Sequence, residues 1–219
     1  MSTTSSTGIT RREAIERVSA LLGGIAFVGG DRLFAAVSDA HAQSANVAGA
    51  TGAFSAAEVA LLDDIAETIL PETSTPGARA ARTGAFMAVM VTDVYSTRER
   101  ETFTTGLRQL DEACRKANGV AFGQASAAAR LSLLEAVDRE QHAHMQARAR
   151  KPVSRAPIPP PQNADTPVHY FRMMKELAML GYFTSEIGYT RAMRYIESPG
   201  RYDPCAPHAP GDKTWAAHA

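Results

Sequence analysis

Apolar residues fall at helical spacing along most of the chain. Val59, Leu62, Ala66 and Ile69 recur at steps of three and four, which places them on one helical face. Ser55 and Glu58 form a capping box at its start. Pro71 ends it, because proline lacks the amide proton and pushes Leu70 out of the right-handed helical region. Pro76-Gly77 is a second breaker, and Phe86, Val89, Met90 and Val94 open a new apolar face. Residues 55–96 therefore predict two helices around a proline corner. Ser96 and Glu99 cap a third helix, with Phe103, Leu107, Leu110 and Cys114 inward and Asn118-Gly119 as its stop. A fourth starts near Ser126 and turns Leu131, Leu134 and Val137 inward. A last helical region opens at Thr166-Pro167, with Val168, Phe171, Met174, Leu177 and Ala178 on its core face. It should bend or break at Gly181, resume with Ile187, Met193 and Ile196, and stop at Pro199-Gly200. No run alternates with the period of a strand. The pattern predicts an all-α protein, an irregular bundle of about five helices over residues 55–200.

Two stretches lie outside this pattern. Residues 148–166 interleave Arg148, Arg150, Lys151 and Arg155 with Pro152, Pro157, Pro159, Pro160 and Pro161, which reads as an extended linker, partly polyproline II. Residues 201–219 are rich in Pro and Ala and read as an irregular C-terminal arm.

The amino terminus reads as a targeting segment. Arg11-Arg12 precede a weakly apolar stretch, residues 18–28, and Ala40-His41-Ala42 then offers small residues at the two positions a signal peptidase reads. This order resembles a twin-arginine export signal, which moves folded proteins. Residues 1–42 are the expected signal, with cleavage after Ala42 and a flexible new terminus over residues 43–54. The apolar stretch is about 11 residues, short of the ~20 that span a bilayer.

Composition narrows the function by exclusion. The 219 residues suffice for one domain, and a net charge of +0 leaves no electrostatic footprint for nucleic acid. No glycine-rich dinucleotide fingerprint, nucleophile elbow, zinc-protease pair or C-x-x-C-H haem site occurs. With 2 cysteines the chain cannot supply the thiolates of an ordinary iron–sulfur cluster. The metal candidate is the run from Asp138 through Glu140 and His142 to His144. On one helix, Asp138/His142 and Glu140/His144 point to roughly opposite faces, so solvated carboxylate–imidazole pairs are the better reading. Met173, Met174 and Met179 read as core filler or adaptable partner surface. Tyr182, Phe183, Tyr189 and Tyr195 crowd around Glu186 more densely than a small core needs, which favours a partner surface slightly over core packing. Cys114 sits on an apolar face and reads as a small buried hydrophobe. Cys205, between prolines in the arm, is expected to bond a cysteine of another chain, with a Cys114–Cys205 bond as the alternative.

The run Ile65-Ala66-Glu67-Thr68-Ile69-Leu70-Pro71-Glu72-Thr73, then Thr75-Pro76-Gly77-Ala78 and Asp93-Val94-Tyr95, resembles the gluconate 2-dehydrogenase subunit 3 family. A second block, Gly181-Tyr182-Phe183-Thr184-Ser185-Glu186 and then Tyr195-Ile196-Glu197-Ser198-Pro199-Gly200-Arg201-Tyr202, carries the same resemblance. It implies a noncatalytic small subunit with no cofactor or catalytic residue of its own. Its partner would be a large FAD-containing flavoprotein of the glucose–methanol–choline type, which oxidises a sugar, sugar acid or polyol at the periplasmic face. A cytochrome c would accept the electrons, and any iron–sulfur cluster or haem would lie elsewhere in the complex. The small subunit would escort the flavoprotein through export. Pro71, Pro76, Tyr182, Phe183, Ser185, Glu186, Tyr189 and Tyr202 are the expected interface. The rival readings are a self-sufficient exported metalloprotein using Glu140, His142 and His144, and a freestanding periplasmic binding protein.

Overall fold

The computed structural model describes residues 30–46, 52–149 and 167–196, together with 200, 205, 207 and 209–216. Arg11, Arg12, linker residues 150–166, Pro199 and Tyr202 lie outside the described residues. The described helices are α1 (Gly30–Asn46), α2 (Ala56–Ile69), α3 (Thr83–Asp93), α4 (Thr97–Asn118), α5 (Ala127–Ala149) and α6 (Tyr170–Phe183). A 3-10 turn (Phe122–Gln124) precedes α5, and a π-helical turn (Gly188–Ala192) follows α6. The fold is an all-α irregular bundle, as the apolar spacing predicts.

The bundle is built around α3. Residues 83–91 are all buried, as expected of a helix that is apolar on every side. α1, α2, α4 and α6 all pack against it. α2 starts at the Ser55/Glu58 capping box, with both reciprocal hydrogen bonds formed. Its end follows from Pro71: Leu70 takes φ −127° and ψ 76°, outside the helical region. Val59, Leu62, Ile65 and Ala66 bury its inner face. α4 repeats the logic with the Ser96/Glu99 box, the buried face Phe103, Leu107, Leu110 and Cys114, and a left-handed Gly119 (φ 75°) at its end.

The structure departs from the sequence pattern at several points. α1 was not expected as part of the body, yet Val37 and Ala40 are in the core. Phe54, in the stretch expected to be flexible, is buried and meets Phe103 edge to face at 6.1 Å. α5 keeps its helical turns through Arg148, which was expected in the linker. It turns Leu134, Val137 and Gln141 inward, and Leu131 falls on the flank at 49% exposure. The last helix begins at Tyr170 rather than at Pro167, because His169 in extended conformation caps it through Nδ1, which accepts the Phe171 N–H at 3.3 Å. Gly181 does not break α6. Its missing Cβ admits the Phe86 ring, whose Cδ1 would lie 2.5 Å from a side chain there. Val94 and Ile196, expected inward, are exposed because the helical spacing stops before each of them. The described part of the arm folds back on the chain, with Arg194 and Trp215 forming an isolated parallel bridge. Among the described residues no helix is long and apolar enough to cross a membrane.

Candidate partner interface at the proline corner

The corner between α2 and α3 is held from beneath by carboxylates of α2. The Glu67 carboxylate accepts the backbone N–H of Glu72 at 2.9 Å and of Arg79 at 2.8 Å, spanning the loop. Ala78 N–H donates to Leu70 O at 2.9 Å, and Thr73 N–H to Thr75 O at 3.0 Å. Gly77 must be glycine for space, since a Cβ there would collide with the Glu67 carboxylate. Asp63 accepts the Gly84 N–H at 2.7 Å and so supplies the first turn of α3 with the acceptor that its N-cap Arg82 does not provide. Burial pushes the Asp63 carboxyl up from its ordinary value, against the pull of that amide. Asp64 bonds Arg79 on the loop and Arg130 at the start of α5, the latter at 3.0 Å. Arg130 in turn donates to Gly123 O at 2.5 Å and Ala125 O at 3.0 Å. A corner braced this way keeps one shape. Its tip, residues 71–74, is exposed.

The second motif block meets the first at this corner. Tyr182 on α6 donates its hydroxyl to Pro76 O at 2.6 Å. Ser185 donates to Tyr182 O at 2.6 Å and accepts the Gly188 N–H at 3.1 Å, which seats the π-helical turn against the end of α6. Tyr182 and Ser185, expected at the interface, are therefore buried and bonded within the chain. Pro76 is half-buried and offers its carbonyl to Tyr182, whereas Pro71 faces out. Phe183 and Glu186 are exposed, and Tyr189 is half-buried against Tyr195 at 5.5 Å.

Other large side chains join this outward set. Met179, Tyr195, Ile196 and Trp215 are all exposed, with Trp215 at 50%. The Arg194 guanidinium lies over the Trp215 ring at 4.7 Å, and Arg194 exchanges backbone bonds with Thr214 and Ala216 at 2.9 and 2.8 Å. Exposed aromatics held by such contacts suit an interface, because little conformational freedom remains to be lost on binding. Sequence spacing missed Trp215. The available signal was that it is the single Trp of the chain and lies outside every apolar face. A cleft of about 560 Å³ also takes in Asp64, with Ala57, Leu61, Leu107, Arg108 and Glu112 in its lining.

The histidine-bearing stretch of α5 divides into two groups, Asp138 with His142 and Lys175, and Glu140 and His144 against His169. His142 lies 3.7 Å from Asp138, which also accepts from Lys175 at 2.7 Å. Glu140 lies 3.8 Å from His169, and His144 Nε2 lies 3.1 Å from Pro167 O. Burial lowers the His169 pKa, partly offset by Glu140. The same burial pushes the Tyr170 phenol up to about 12. Among the described residues no group of three or more His, Cys, Asp or Glu side chains gathers as a metal site. Cys114 is buried, with Asn118 Nδ2 at 3.6 Å from its sulfur, and Cys205 is exposed.

Comparison with known protein families gives a match. The family model described as gluconate 2-dehydrogenase subunit 3 covers residues 56–200, well over half of the 219-residue chain. No curated protein and no solved structure matches.

Proposed function

Because the chain belongs to the gluconate 2-dehydrogenase subunit 3 family, we propose that it is the noncatalytic small subunit of a periplasmic FAD-dependent dehydrogenase. The substrate class is a sugar, sugar acid or polyol. Oxidation occurs on the flavoprotein partner, which passes electrons to a cytochrome c. This chain folds with that partner, stabilises it and carries it through export by the Arg11-Arg12 signal. The family membership implies a subunit of a dehydrogenase complex; the flavin, the escort role and the compartment are our extension of it.

The observation that carries the reading is the meeting of the two motif blocks at one braced corner, through Tyr182 Oη and Pro76 O at 2.6 Å. Stretches far apart in the chain meet to give a surface corner a fixed shape. The partner seats on the exposed tip, residues 71–74, and on Phe183, Glu186 and Trp215, which are exposed as well. Cys205 is exposed, and we place there a bond between its thiol and a cysteine of the partner. The test is co-purification of the flavoprotein with tagged chain after coexpression. Phe183→Asp with Trp215→Ala should leave the thermal midpoint of this chain in place and cut the recovered flavin at least tenfold. Undiminished flavin recovery would reject this surface.

A further inference from the structure

The peptidase site that the sequence offers after Ala42 lies inside a docked helix. α1 runs from Gly30 to Asn46 without interruption, so both residues a signal peptidase would read, Ala40 and Ala42, have helical backbone. Such an enzyme reads the small side chains on an extended segment, and proteolysis of folded proteins concentrates at exposed, openable backbone. Ala40 is the opposite case, with 1% of its surface exposed. Val37, one turn earlier, is 7% exposed and joins the same core.

His41 fixes the helix laterally. Its ring stacks on Phe86 at 4.5 Å between centroids and 28° between planes. Its Nε2 lies 2.9 Å from Thr184 Oγ1 at the end of α6. The Thr184 hydroxyl already donates to Leu180 O at 2.6 Å, so it accepts from the imidazole, and His41 carries its proton on Nε2. This helix therefore touches α3 through a ring and α6 through a hydrogen bond. Phe86 is itself fully buried. Removal of residues up to 42 would strip Val37 and Ala40 from the core, take the His41 ring off Phe86, and uncover the α3 face beneath them.

We infer that α1 is a permanent element of the folded chain and that folding closes the peptidase site after Ala42. The leader is removed upstream of Gly30 or stays attached. The processing half of this inference rests on the export reading, since a twin-arginine signal delivers the chain already folded. The docking half does not. Two measurements on the full-length chain separate them. Amide hydrogen exchange on purified protein should show residues 37–42 protected to within about tenfold of the α3 amides, a factor equal to ~1.4 kcal/mol of opening free energy. Exchange at the rate of an unfolded peptide would overturn the docking. Intact mass of the chain recovered from the periplasm should retain residues 30–42. A mature terminus at Gln43 would overturn the closure. Val37→Asp, which loosens α1 without touching Ala40 or Ala42, should raise exchange at residues 37–42. In exported protein it should also allow cleavage after Ala42. If the loosened variant exchanges freely yet is still uncut there, closure by folding is overturned. A chain found wholly in the cytoplasm would count against the export reading alone, and the exchange result would then decide docking.

Discussion

Glu67 is the residue whose removal should damage the corner most. Its carboxylate accepts two backbone N–H groups, from Glu72 at 2.9 Å and Arg79 at 2.8 Å, and thereby joins the two ends of the loop. Hydrogen bonds to a charged group contribute about 1.5–3 kcal/mol each when protected. Glu67 is half-buried and both amides lie near solvent, so water recovers part of that energy. The low end applies, and Glu67→Ala should cost ~2–3 kcal/mol in total. For a chain of this size each kcal/mol moves the thermal midpoint by roughly 2–4 °C, so the expected fall is about 5–10 °C. Glu67→Gln keeps one carbonyl oxygen as acceptor and should lose about half as much. The assays are thermal denaturation followed by circular dichroism and hydrogen exchange at the Glu72 and Arg79 amides. An unchanged midpoint, with both amides still protected, would refute the bracing role assigned to this carboxylate.

Gly181→Ala should destabilise, although alanine is the better helix former by about 1 kcal/mol. Its Cβ would meet Phe86, a fully buried ring beneath His41, and overpacking of that kind typically costs ~1–3 kcal/mol; a raised midpoint would mean the ring has room to move. Acid should weaken the fold through His169. Burial lowers its folded pKa below the ordinary 6.5, so the folded state binds the proton later than the unfolded chain. Its contribution is complete above about pH 6.5 and is lost as pH falls towards the lowered folded value, where a proton on Nδ1 also removes the Phe171 cap. His169→Asn keeps a capping acceptor and should flatten the fall in urea midpoint between about pH 7.5 and 5.5; an equally steep fall would exclude His169 as the source. Arg11 and Arg12 changed together to Lys should move dehydrogenase activity from the periplasmic to the cytoplasmic fraction, and unchanged periplasmic activity would reject the twin-arginine signal.

The features legible in the sequence are those made by neighbours along the chain. Ser55 with Glu58 and Ser96 with Glu99 form their caps within one turn, and both caps are present. Phe103, Leu107, Leu110 and Cys114 share a face by spacing alone, and all are buried. What escaped the sequence depends on distant partners. α1 falls in the stretch that reads as a leader, and its burial depends on Phe86 and Thr184, far along the chain. Ala40-His41-Ala42 looks the same whether it awaits a peptidase or fills a core. Aromatic density near Glu186 does not say which rings turn in. Tyr182 turns in because Pro76, more than a hundred residues earlier, presents a carbonyl to it. Glu67 was visible in the motif, yet its role needs a loop that returns to it at Arg79.

The central claim is that this chain works as a subunit. Its most direct test is to tag the chain in its own host, purify it from the periplasm under native conditions, and measure flavin per chain and sugar- or polyol-dependent reduction of an artificial acceptor. The account predicts a larger flavoprotein in fixed ratio with the chain, with activity that follows the complex. The chain separated from it should hold neither flavin nor activity. Recovery of the chain alone, with no flavoprotein bound, would contradict it, as would oxidation catalysed by the isolated chain.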